Sequence, residues 1–235
     1  MSSSLTSTAS QTALRIGIID SHIAPPLYSA KSFCAIDDNS ASCQQPLHGA
    51  TIADWLNTAI VELEICAAQV FAQQLICSPR QVAEAIHWLI DQDVRLINMS
   101  FGLREDRTVL CAACEAAVDA GICLVAASPA RGDPVYPAAY PGVVRATGDA
   151  RCDGGEIACL DSAQADFGGY AGNPQTGLVG ASAGCAAVCV ALAKLAVDNR
   201  QMSSAELVAT LARKADYQGP ERRVAGVPAI DRVSS

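Results

Sequence analysis

The chain has no cluster of lysine or arginine, although it carries 16 such residues against 24 aspartates and glutamates. A formal net charge of -8 argues against coating nucleic acid or an anionic membrane. No apolar run is long and uniform enough to span a bilayer. The best stretch, residues 186–197, is short, alanine-rich and interrupted by Lys194. The N-terminal stretch, rich in Ser and Thr, lacks both the basic and the apolar region of a secretory signal, so a cytoplasmic protein with reduced thiols is expected. No internal repeat and no linker divides the chain. With 51% hydrophobic and 17% charged residues over 235 positions, one folded α/β unit over 1–235 is expected, with 1–12 and 219–235 mobile.

Metal-binding patterns are missing as well. The 11 cysteines are an odd number. Five of them (Cys66, Cys77, Cys123, Cys185, Cys189) lie in apolar context, where cysteine acts as a small hydrophobe. Cys111 and Cys114 form a CxxC pattern inside an expected helix. No second pair follows at zinc-like spacing, and no acidic run of the EF-hand type occurs. No metal and no organic cofactor is expected.

What the sequence does contain is an alternation of strands and helices. Strand patterns cover 13–20, 60–70, 94–100, 122–127 and 143–147. Helices are expected from His48, from Ser78-Pro79 to Ile90, and over 107–120 with Gly121 as its stop. Another opens near Ser182, and a last one follows the capping box Ser203-Ser-Ala-Glu206. Residues 21–46 read as a loop and 153–177 as irregular. The pattern predicts an α/β fold, a mostly parallel sheet with helices on both faces.

Three residues stand where such a fold does chemistry. Asp20 ends the first buried strand, at the sheet edge where open α/β folds bind ligands. His48 stands at the N-terminal edge of a helix. Ser182 lies in Gly180-Ala-Ser-Ala-Gly184, where small residues leave room for a carbonyl and a helix start stabilises negative charge. Each has a plain structural alternative: Asp20 as a turn cap through Ser21-His22, His48 as a packed core residue, and Ser182 as an N-cap.

Together with their neighbours, these segments resemble the subtilisin-like serine proteases. Ile16-Gly-Ile-Ile-Asp-Ser is similar to the family's aspartate strand. His48-Gly49 with Ala50, Thr51 and Ala53 is similar to its histidine helix, and Gly180-Ala-Ser182 to its nucleophile turn. The order Asp, His, Ser is that of the subtilisin triad. Leu96-Ile-Asn-Met-Ser-Phe-Gly102 looks like the family's I-N-M-S-L-G strand. Leu124-Val-Ala-Ala, followed by Tyr136-Pro-Ala-Ala-Tyr-Pro-Gly-Val143, looks like a further paired signature.

The resemblance implies a three-layer subtilisin-like fold and a serine endopeptidase. Ser182 would be the nucleophile, His48 the base and Asp20 its orienting carboxylate. His22 is a competing base, and His87 is expected on a helix flank. Ser100, Phe101 and Gly102 would pair with an extended substrate, and Ala126, Ala127 and Ser128 would wall the specificity pocket. The Ser182 backbone N–H would serve the oxyanion. The family's second donor, an Asn, is replaced by Ala130; Ser128 or Arg131 could substitute for it. In subtilisin, losing that donor costs about 10²–10³ in turnover. Thr51 also stands where the family has a second His.

These departures imply a slow, selective protease or a dead one. Secreted members fold with a long N-terminal prodomain, for which Asp20 lies too near Met1. A protease of this kind in a cytoplasm is expected to be narrow in specificity. Within the family, the chain resembles small members that act beside modified-peptide pathways, notably the maturation proteases of quinohemoprotein amine dehydrogenase biogenesis. That implies a ribosomal precursor as partner, a leader peptide as the part removed, and other maturation enzymes nearby. The alternative is a pseudoprotease that binds peptides.

Overall fold

The computed structural model describes residues 13–24, 26–34, 47–72, 75–173, 175 and 177–221. The chain begins with β1 (Leu14–Asp20), β2 (Ser29–Ser32), α1 (His48–Ala59) and β3 (Leu63–Gln69). It continues through α2 (Pro79–Asp91), β4 (Leu96–Met99), α3 (Thr108–Asp119), β5 (Cys123–Ala127) and β6 (Val143–Asp149). The short strands β7 (Ile157–Cys159), β8 (Phe167–Tyr170), β9 (Gly172–Asn173) and β10 (Leu178–Val179) follow. Then come α4 (Gly180–Asp198), α5 (Ser204–Lys214) and β11 (Tyr217–Gln218).

Nine strands form one sheet in the order β11-β7-β8-β6-β5-β4-β1-β3-β2. Every pairing in it is parallel except β7 with β8. Strand alternation divides the core into two layers. Ile16, Ile18, Leu96 and Val125 join α1, α4 and α5 on one face. Ile19, Ile97 and Leu124 join α2 and α3 on the other. Ile16, Ile18 and Ile19 are fully buried, each burial worth about 1.5–3 kcal/mol. Gly17 lies between them because a Cβ there would meet Leu89 Cδ1 at 2.7 Å. The sheet thus has helices on both faces, the three-layer α/β architecture of the subtilisin-like fold.

The helix signals hold. Ser78 and Ser203 both cap through complete capping boxes, with Gln81 and Glu206 as their partners. Gly121, at φ +80°, follows α3 in the left-handed region that ends helices. Two stretches read as irregular contain strands. Residues 29–32 pair with β3, and 157–159 and 167–170 fill the far side of the sheet. All are only three or four residues long, and β8 contains Gly168-Gly169, so no local pattern marks them. They are strands because a neighbour supplies hydrogen-bond partners.

Helix α4 also departs from expectation. Its 19 residues are long and apolar enough, by length and composition, to cross a membrane. The turn of small residues before 186 lengthens the apolar stretch. In this fold, 12 of those residues are buried inside the protein, against the sheet and neighbouring helices. Its approach to β6 is backbone to backbone: a Cβ at Gly184 would come within 1.9 Å of the Thr147 carbonyl oxygen. The mobility expected for 1–12 and for the end of the tail falls outside the described residues, while Gly219 N–H is bound to the Cys159 carbonyl at 2.8 Å.

Candidate active site

The chain leaves β1 for β3 on one side and returns to β4 on the other. That reversal opens a crevice at the carboxyl ends of the central strands. Asp20 ends β1 there and is fully buried. Its Oδ1 accepts from the Ser21 N–H at 2.7 Å. Its two oxygens lie 2.9 and 3.0 Å from His48 Nδ1. His48 is the first residue of α1, and its side chain keeps 17% of its exposure.

Two contacts hold that helix start against the strand end. Gly49 N–H donates to Ser21 Oγ at 3.0 Å, and a Cβ at Gly49 would meet the Ser21 carbonyl oxygen at 2.8 Å. A glycine after His48 is therefore required for the imidazole to reach Asp20. His22 is exposed, and the Asp20 carboxylate is engaged by His48 instead. His87 is exposed on α2.

The β1–β4 register brings the serine into the same place. The β1–β4 ladder ends at Ile18–Asn98, so Asp20 and Ser100 both lie just beyond the paired ends of neighbouring strands. Ser182 Oγ donates to the Ser100 carbonyl at 2.6 Å, and Ser100 Oγ lies 3.2 Å from the Ser182 carbonyl oxygen. Ser182 is therefore clamped beside the strand next to the one that carries Asp20. It lies in the first turn of α4, two residues inside the helix, and Val179 occupies the N-cap position. The N-cap reading of Ser182 does not hold. Among the described residues no hydrogen bond joins Ser182 to His48, because the hydroxyl proton is directed at Ser100.

No side chain caps α4. Gly180, at φ +64°, turns the chain into the helix, and its N–H goes to the Ala171 carbonyl at 2.8 Å. The following N–H groups, including that of Ser182, point out of the helix start with the positive end of its dipole.

The flanking segments are less uniform. Ser100 is buried, while Phe101 is half-buried and packs edge-on to Phe71 at 5.3 Å. Gly102 is exposed, and Leu103 exchanges backbone hydrogen bonds of 2.7 and 2.8 Å with Tyr136. Ala126 and Ala127 are buried in β5. Ser128 corrects one expectation. Its hydroxyl donates to the Gln164 carbonyl at 2.6 Å and is 4% exposed with the rest of the residue, so it is not available to an oxyanion. Gln164 also reaches the Gly132 carbonyl at 3.3 Å, which ties the loop after β5 to the chain before β8. Ala130 and Arg131 line a cavity of about 490 Å³ with Thr147, Gly148 and Asp149. Gly148 packs on Gly180, where a Cβ would lie 2.7 Å from the Gly180 carbonyl oxygen.

On its own, Asn98 carries no local signal of a role at the site. It is fully buried, accepts from Ser100 Oγ at 2.8 Å and points Nδ2 at Cys185 Sγ, 3.5 Å away. It supports Ser100, which in turn holds Ser182. Its position two residues before Ser100, on the same strand face, is the one signal that could have found it. Behind the site, burial alone would raise the Asp149 carboxyl, but hydrogen bonds from the Arg151 side chain and backbone overcome this and hold it below the usual value. Among the described residues no group of three or more His, Cys, Asp or Glu side chains forms a metal-ligand set. Cys111 and Cys114 lie in α3, with Cys114 buried in the core and Cys111 Sγ 3.5 Å from Glu115. Burial pushes the Cys114 thiol up to about 12.

A parallel-sheet fold with an aspartate–histidine pair at its switch point and a serine at an uncapped helix start defines the subtilisin-like class. The chain belongs to the subtilase family, whose pattern it matches over residues 31–229. That span includes His48 and Ser182 and begins after Asp20. The chain is 30% identical over 145 residues to the minor extracellular protease Epr of Bacillus subtilis (strain 168). The match covers 56% of this chain and 22% of that protein, so the chain spans about a fifth of its relative's length. Among solved structures, it is similar to the prenylagaramide maturation protease PagA, with a TM-score of 0.57, 15% identity, and coverage of 84% of this chain and 80% of that one. The protease domain of PatA gives 0.55 at 16% identity, covering 86% and 87%. Sphericase gives 0.61 at 17% identity, covering 90% and 88%. These likenesses establish the fold.

Proposed function

We propose that this subtilase is a serine endopeptidase that removes a leader peptide from a precursor. The observation that carries the reading is the buried Asp20 carboxylate holding His48 Nδ1 with both oxygens, one strand from Ser182. Asp20 fixes the tautomer with Nε2 unprotonated and stabilises the imidazolium that follows. The Ser182 hydroxyl turns from the Ser100 carbonyl to His48 as substrate enters, since catalytic hydrogen bonds often tighten only in the complex. Its oxygen attacks the scissile carbonyl, and its proton passes to His48 Nε2. His48 then delivers that proton to the leaving amine, and water hydrolyses the acyl-enzyme by the same route in reverse.

The Ser182 N–H at the uncapped start of α4 takes the oxyanion. With Ala130 in place of the family's Asn and the Ser128 hydroxyl bound to Gln164, Arg131 is the side chain left on that loop to assist. The segment Ser100–Gly102 pairs with the extended substrate. The maturation role is supported by the structural likeness to PagA, a maturation protease. It implies a cytoplasmic enzyme, narrow in specificity, acting on a ribosomal precursor beside the enzymes that modify it. The small subunit of a quinohemoprotein amine dehydrogenase is such a precursor. Ala130 favours the second reading, a peptide-binding pseudoprotease on the same scaffold.

The test is intact mass after fluorophosphonate treatment, with and without candidate precursor, for wild type, Ser182→Ala and His48→Ala. One adduct on wild type, absent from both variants, supports the protease. Silence of wild type in every condition, including with precursor present, selects the pseudoprotease.

A further inference from the structure

Cys34 and Cys77 take no part in the proposed hydrolysis. Cys34 follows β2, and Cys77 immediately precedes Ser78, the N-cap of α2. A single side chain spans the gap between these two backbones. The Gln81 amide accepts from the Ser78 N–H at 2.8 Å and donates to the Phe33 carbonyl at 2.8 Å. The peptide unit that joins Phe33 to Cys34 and the one that joins Cys77 to Ser78 are therefore one amide apart. Phe33 and Cys77 also pack against the same apolar cluster. Both cysteines are half-buried in this structure. Cys34 Sγ lies 3.8 Å from the Gln69 carbonyl oxygen, on the strand residue that pairs with Asp20. Burial, then the charges of Cys34 and Asp20, push the Cys77 thiol up to about 12.

We propose that Cys34 and Cys77 are a modification site, a reversible disulfide that staples the end of β2 to the start of α2. The inference does not depend on the catalytic reading. A disulfide needs Cα atoms within about 4.4–6.8 Å, and the Gln81 amide bridge sets the two backbone segments side by side. The oxidant is a low-molecular-weight disulfide such as glutathione disulfide. The Cys34 thiolate attacks one of its sulfurs, the S–S bond breaks, and one glutathione leaves and takes up a proton. The Cys77 thiolate then attacks the Cys34 sulfur of the mixed disulfide and releases the second glutathione. Two thiols lose two electrons and two protons, and one glutathione disulfide becomes two glutathiones. The closed ring contains α1 and with it His48. The raised Cys77 thiol makes the second step faster as pH rises from 7 to 9.

The experiment equilibrates the full chain in glutathione buffers, quenches with N-ethylmaleimide and maps the peptides by mass. In oxidising buffer, two of the 11 thiols are expected to escape alkylation, joined as a Cys34–Cys77 peptide pair that dithiothreitol releases. Cys34→Ser and Cys77→Ser each abolish that pair while matching reduced wild type in thermal melting. Retention of all 11 alkylatable thiols overturns the proposal, as does glutathione held on Cys34 without progress to a cross-link. A bridge from Cys77 to Cys43 or to any other cysteine overturns it as well. Should a variant fail to fold, the wild-type map decides alone.

Discussion

Replacing Asp20 with Asn removes one charge and changes almost no volume, so it isolates what the carboxylate does. The structure decides how the new amide must sit. The backbone N–H of Ser21 points at Oδ1 from 2.7 Å and can donate only to an oxygen there. Asn Oδ1 takes that position, and its NH₂ faces His48 Nδ1, where Oδ2 now lies at 2.9 Å. Nδ1 must then accept, so the imidazole carries its proton on Nε2. That tautomer cannot take the proton of Ser182. The same substitution in a serine protease of another fold lowers kcat by about 10⁴, which is about 5.4 kcal/mol of transition-state stabilisation. The charge-assisted hydrogen bond to His48 is also lost, at a cost of about 1–3 kcal/mol in stability. The assay is the rate of fluorophosphonate labelling of Ser182 in Asp20→Asn against wild type, with melting curves for both. A labelling rate within tenfold of wild type, on a folded variant, refutes the reasoning and removes Asp20 from the catalytic unit.

Three further outcomes follow from the same contacts. Gly184→Ala drives a Cβ into the Thr147 backbone, which no side-chain motion relieves. The expected cost of about 3 kcal/mol lowers Tm by roughly 6–12 °C, and a fall under about 2 °C would show that α4 and β6 do not meet so closely. In Ser128→Ala the loop after β5 loosens, but labelling of Ser182 stays within about tenfold, whereas Arg131→Ala lowers it by more, about 10²-fold if the guanidinium does the work of an oxyanion donor. Equal effects in the two variants would count against Arg131. The Asp149 carboxyl is held below 3.8 by Arg151, so its stabilisation is complete above that pH and is lost as pH falls through the lower native value. Denaturant midpoints of wild type and Asp149→Asn should differ by a constant amount from pH 5 to 7 and converge as the pH drops below 3.8; a gap that persists at pH 2 would refute the sign.

Local sequence signals marked the helices and the buried central strands, and they singled out Asp20, His48 and Ser182 as candidates. These signals are local: a capping box spans four residues, and an apolar strand or an Asp-Ser, His-Gly or Gly-Ala-Ser motif is complete within one segment. Tertiary structure alone decided what depends on a distant partner. The short strands β2, β7 and β8 exist because adjacent strands satisfy their backbone groups. The Ser128 hydroxyl is occupied because the Gln164 carbonyl, 36 positions away, accepts its hydrogen bond. Asn98 looked like an ordinary strand residue until Ser100 and Cys185 closed around it. The pairing of β1 with β4 puts the strand that ends on Asp20 beside the one that leads to Ser100, and Ser100 holds Ser182. A side-chain hydrogen bond depends on the direction of two groups in space, and a sequence records only their order.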